Sequence, residues 1–161
     1  MDKVFAVFIS LAALGSCDKG SNATVIDTSF DILMKNEAGQ DLLDPATPGS
    51  FSEDDIKLYY LVDNQMVYYF KSNLDAPKGF KLLKNETLSR HYLRVFPNGP
   101  VKDRESVLYL KFKGVDLDSI RTFNTVSGSS KVCTKIWYND KQVWDVGAAS
   151  GGRYFEVLKD F

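Results

Sequence analysis

The chain of 161 residues is poor in the groups that most catalysis and metal binding draw on. It has one histidine, His91, and two cysteines, Cys17 and Cys133. A zinc site takes four ligands drawn mainly from those residue types, so too few are present to build one. No Gly-x-Ser-x-Gly turn presents a serine for His91 to activate. In Arg90-His91-Tyr92-Leu93-Arg94 the histidine reads as a structural or surface residue at the start of a strand. Gly128-Ser129-Ser130-Lys131 lacks the spacing and the following helix of a phosphate loop, and reads as a simple loop. An excess of charge is missing as well. Twenty basic residues stand against 21 acidic ones, a net charge of −1, which leaves nothing to hold a polyphosphate and argues against nucleic acid as a partner. No helix and no internal repeat is legible, and no cofactor is expected.

What is present begins at the N-terminus. Lys3 precedes an apolar run from Val4 to Leu14, which is well short of the ~20 residues of a spanning helix and suits the core of an export signal. Leu14-Gly15-Ser16-Cys17 follows, then the polar stretch Asp18-Lys19-Gly20-Ser21-Asn22. This segment resembles the lipobox of bacterial lipoproteins. The resemblance implies that residues 1–16 are removed, that Cys17 carries the lipid, and that residues 17–28 form a tether from a membrane, the outer membrane being expected. Cys133 would then have no partner within the chain, so the fold carries no disulfide. Its strand-like setting, Lys131-Val132-Cys133-Thr134-Lys135, marks it as a small buried or half-buried residue.

From Phe30 onward the hydrophobic period is mostly two, broken by turn residues. Phe30–Met34 reads as a strand. Ile56–Val62 and Met66–Phe70 read as a hairpin around Asp63-Asn64-Gln65, because Asp and Asn accept the left-handed backbone of tight turns. Phe80–Lys84, His91–Phe96, Val107–Phe112 and Ile120–Phe123 are further expected strands. A second hairpin runs through Val132–Tyr138 and Gln142–Val146, and Tyr154–Leu158 is the last strand. Residues 29–161 therefore read as a single all-β domain, an immunoglobulin-like antiparallel β-sandwich of about eight or nine strands. Gly39-Gln40-Asp41-Leu42-Leu43-Asp44-Pro45, Ile56-Lys57-Leu58-Tyr59-Tyr60 and Ile136-Trp137-Tyr138-Asn139-Asp140 resemble segments of small lipoproteins of the Bacteroidetes. Over about a third of the mature chain, that resemblance implies location and a β fold, and no catalytic residues.

Two features remain as candidates for function. Glu53-Asp54-Asp55 and the pair Asp41 and Asp44 could offer oxygen ligands or a carboxylate pair, but no dedicated calcium spacing accompanies them, and solvated loops are the expectation. The aromatic residues are more informative. A three-residue turn in the first hairpin would put Tyr59 against Tyr69 and Leu61 against Val67 on a face that ought to be polar. In the second hairpin Trp137 and Trp144 would pair directly if the turn centres on Asp140-Lys141. Apolar surface of this kind marks binding sites. The expectation is a non-enzymatic envelope lipoprotein that binds a partner protein or a glycan; the alternatives are a structural subunit of an outer-membrane complex and a small carboxylate-based hydrolase. Mass spectrometry of membrane-extracted protein should find a mature chain that begins at Cys17 and carries added acyl mass. A Cys17→Ala variant should accumulate as precursor, and native protein that keeps Met1 would refute the anchor.

Overall fold

The computed structural model describes residues 23–99, 103–113, 116–148 and 151–159. Cys17, the segment before it and the first part of the tether lie outside those residues. Eleven strands follow in chain order: β1 (Ile26–Asp27), β2 (Phe30–Lys35), β3 (Ile56–Val62), β4 (Gln65–Tyr68), β5 (Phe80–Asn85), β6 (Arg90–Val95), β7 (Glu105–Phe112), β8 (Asp116–Ser127), β9 (Ser130–Tyr138), β10 (Lys141–Asp145) and β11 (Tyr154–Leu158). One short 3-10 turn, Glu53–Asp55, precedes β3. The all-β sandwich is present, with more strands than the sequence showed. β1 is too short to leave a periodic signal, and β8 extends on both sides of its expected stretch, Ile120–Phe123.

The two sheets are unequal. Seven strands form the larger, in the order β1-β9-β8-β7-β3-β4, with β10 also on β9, while four form the smaller as β11-β2-β6-β5. Both are mixed rather than wholly antiparallel, because β1 runs parallel to β9 and β11 parallel to β2. Alternation decides what faces inward. β7 buries Ser106, Leu108, Leu110 and Phe112 and turns the residues between them outward. β2 does the same with Phe30, Ile32 and Met34, and β11 with Phe155 and Val157. These side chains meet Leu58, Leu93, Val95 and Ile136 in a single core. The loop between β2 and β3 closes one end, inserting Leu42, Leu43 and Phe51. Main-chain bonds from Leu42 to Met34 (2.9 Å) and from Phe51 to Leu42 (2.8 Å) hold it there.

β8 is the exception to an apolar interior. Its inward residues are Asp118, Ile120, Thr122 and Asn124, all buried. Burying a charge is expensive unless it is paired and hydrogen-bonded, and Asp118 is both. Lys159, just after β11, forms a buried ion pair with it, and the amide of Asn139 donates to its Oδ1 at 2.7 Å. The Lys159 ammonium also lies over the Phe112 ring, 5.3 Å from its centroid. The pair ties the end of the chain to the middle of the larger sheet. Replacing Asp118 with alanine should cost about 3–5 kcal/mol in urea unfolding, because an unpaired ammonium would remain buried. Asp118→Ala with Lys159→Met should recover part of that loss. Equal stability of the single variant and the parent would show that the pair contributes nothing.

Candidate functional site

The first hairpin departs from its expected register, and that changes which side chains share a face. Asp63 and Asn64 have φ values of 49° and 61°, so the turn has two residues, both left-handed, as in a type I′ hairpin. The three-residue turn expected from sequence is therefore one residue too long. Tyr59 stands opposite Tyr68, Tyr60 opposite Val67, and Leu61 opposite Met66. A slip of one residue moves every side chain of a strand to the other face. Tyr59 does not pair with Tyr69, nor Leu61 with Val67. The second hairpin is corrected in the same way. Its turn is Asn139-Asp140 (φ 46° and 63°), and Trp137 faces Gln142 rather than Trp144. A bulge between Gln142 and Trp144 sets Trp144 opposite Ile136, and Trp144 packs against the core.

The six expected binding residues thus divide into two sets. Tyr69, Val67 and Trp144 lie on the inner side of the larger sheet; Tyr59, Leu61 and Trp137 lie on its outer side. Tyr69 is held tightly. Its ring meets Tyr60 edge-on at 5.1 Å between centroids, and Lys71 sits 5.7 Å from its centroid. Gly79 passes beneath it at φ 76°, where a Cβ would come within 2.9 Å of the ring. Only glycine satisfies both that backbone and that contact. Tyr60 anchors the neighbouring loop, donating its hydroxyl proton to the Phe96 carbonyl (2.8 Å) and accepting from the Asn98 N–H (3.0 Å). Burial raises the pKa of that phenol well above the ordinary tyrosine value.

On the outer side the register across three strands builds a feature that the sequence did not reveal. Tyr109 of β7 stands opposite Tyr59 of β3, which stands opposite Tyr68 of β4. The result is a row of three tyrosines across the sheet, with the Tyr59 and Tyr68 rings 5.7 Å apart and tilted by 59°. Tyr68 is 45% exposed. Leu61 and Met66 lie beside the row, both exposed. Farther across the same face, the Arg121 guanidinium covers the Trp137 ring at 4.0 Å, as their cross-strand pairing allows. Alternation along β7 was readable, but no sequence signal states that Tyr109 neighbours Tyr59.

Around the hairpin's inner side lies a cleft of ≈ 520 Å³, lined by Val62, Val67, Tyr69, Asn98, Asp103 and Ser106 among others. It opens because the smaller sheet ends at β5 and leaves β4 without cover; all four residues of β4 are exposed.

The acidic candidates are occupied in holding loops. Asp41 accepts the Leu43 N–H through Oδ1 and the His91 N–H through Oδ2, both at 2.9 Å, and Asp44 accepts the Ala46 N–H at 2.9 Å. His91 Nδ1 lies 3.5 Å from Asp41 and 4.0 Å from Asp44. Asp54 pairs with Lys78 at 2.7 Å, and Asp55 caps Ser52 at 2.8 Å, which lowers its pKa. Among the described residues no group of three or more His, Cys, Asp or Glu could hold a metal ion. Cys133 is buried and its thiol is pushed up to about 11 by desolvation, leaving it protonated and unreactive near neutrality. Gly128, at φ 57°, makes the tight turn between β8 and β9.

Comparison of the chain with protein-family models, with curated proteins and with solved structures returned no match.

The register makes two tyrosines distinguishable. Tyr69→Ser should cost about 2–4 kcal/mol in denaturant unfolding, as a half-buried aromatic packed on the core. Tyr59→Ser should cost about 1 kcal/mol or less, the scale of a cross-strand pair. Equal losses would put both residues on one face and contradict the two-residue turn.

Proposed function

We propose that this protein is a non-catalytic binding module of the bacterial cell envelope, held at the outer membrane by lipid on Cys17, and that its outer sheet face binds a glycan. The observation that carries the reading is the row Tyr109–Tyr59–Tyr68, with Leu61 and Met66 beside it, on the solvent side of a sheet whose other side is core. An antiparallel face turned to water is ordinarily polar. Here it offers aromatic rings about one strand spacing apart, ~4.8 Å, and sugar rings present C–H faces that stack on such surfaces. Lys57, Lys111 and Ser119 on neighbouring positions of the same face supply polar groups for hydroxyls. A domain anchored by lipid at its N-terminal side can lay a flat face along a polymer. Supporting a non-catalytic role, the carboxylates nearest His91 are engaged by main-chain N–H groups rather than aimed at open space.

A structural role within a larger envelope assembly is the second reading, and the uncovered strand β4 favours it. The glycan reading is tested by affinity electrophoresis on a panel of bacterial and plant polysaccharides. Tyr59→Ser with Tyr109→Ser should weaken retention by about tenfold or more while circular dichroism stays β-rich. Absence of retention of the parent on every polysaccharide, or unchanged retention of the double variant, would overturn this reading.

A further inference from the structure

We infer that two copies of this chain join through β4, edge to edge and antiparallel, so that one continuous sheet runs through both. The inference rests on the edge and not on the glycan reading, and either can fail without the other.

Hydrogen bonding supplies the first argument. β4 pairs with β3 on one side only. The Tyr69 N–H bonds to the Leu58 carbonyl at 2.9 Å, and with the two-residue turn this places Gln65, Val67 and Tyr69 in the bonded positions facing β3. The N–H and C=O of Met66 and Tyr68 therefore point away from β3, and no group among the described residues takes them. Natural edges are normally blunted by charge, proline or a bulge. β4 reads Gln-Met-Val-Tyr, with no charge, no proline and an unbroken register.

The second argument is self-complementarity. A two-fold axis through Val67 sets Met66 opposite Tyr68 of the other copy, and Tyr68 opposite its Met66. Both are then bonded pairs, and the free groups of the two residues are satisfied in both copies at once. Apolar side chains meet apolar ones on each face. The same register moves Lys71 of each copy toward Asp63 of the other. Both are exposed, and neither has an ion-pair partner within the chain among the described residues. A closed isologous contact of this kind is the commonest form of homo-oligomer. It would also merge the two tyrosine rows into one face.

The register predicts a specific cross-link. At the axis, Val67 and its copy form a non-hydrogen-bonded pair with Cα atoms ~4.5 Å apart, within reach of a disulfide. Val67 is 48% exposed, so Val67→Cys is tolerable to the fold, and the buried Cys133 does not compete. The full chain carrying Val67→Cys, Met66→Cys or Tyr68→Cys is oxidised in intact cells and run on non-reducing gels. Val67→Cys should yield a dimer at several times the level of either neighbour, and adding Met66→Lys with Tyr68→Lys should abolish it. Three results would overturn the inference: no dimer from Val67→Cys, equal cross-linking at all three positions as random collision produces, or a cross-link from Val67→Cys to a different protein in place of itself.

Discussion

The length of one turn governs which side of the larger sheet each residue of the first hairpin occupies. Asp63 and Asn64 both take positive φ, and two such residues close a hairpin whose twist matches that of its strands. A third turn residue would exchange the faces of β4. Val67 and Tyr69 would then turn outward, and Met66 and Tyr68 would turn toward the smaller sheet. The core contact of Tyr69 on Gly79, the outer row of tyrosines and the bonding pattern of the free edge all follow from that count. Asn139 and Asp140 play the same part in the second hairpin, where the bulge before Trp144 then returns its ring to the core.

Unequal sheets set the second constraint. Four strands cannot cover seven, so part of the larger sheet has no layer over its inner face. At one margin β1 and β10 share the same edge of β9, at opposite ends of it. At the other margin β4 stands uncovered, and the cleft beneath it is the gap left by the missing layer. The apolar residues exposed there, Val62 and Val67, reflect the shape of the assembly rather than poor packing. Elsewhere the interior holds a buried ion pair, Asp118–Lys159, which joins the segment after β11 to β8.

Most of the strand pattern was legible because alternation with period two is a local property. β2, β7 and β11 follow it closely, and Phe30, Leu108 and Val157 are buried where that period places them. Asp41 and Asp44 were expected in a loop, and there they hold the main chain. β8 was read too short because its inward positions are Asp118, Thr122 and Asn124, whose burial depends on partners distant in sequence. Lys159 lies 41 residues beyond Asp118, and nothing local announces their contact.

A β-rich chain, the positions of its turns and the aromatic richness of its hairpins are written locally, since each of these rests on the conformational preferences of neighbouring residues. How many residues each turn spends, which strands become neighbours and which face meets water are set by the packing of the whole molecule. A one-residue change in a turn has little local cost, yet it reverses the sides of a whole strand. Strand order, in turn, is chosen by the burial of all strands together. Tyr109 beside Tyr59 beside Tyr68 is therefore a product of sheet assembly, and it could not be read from any one segment.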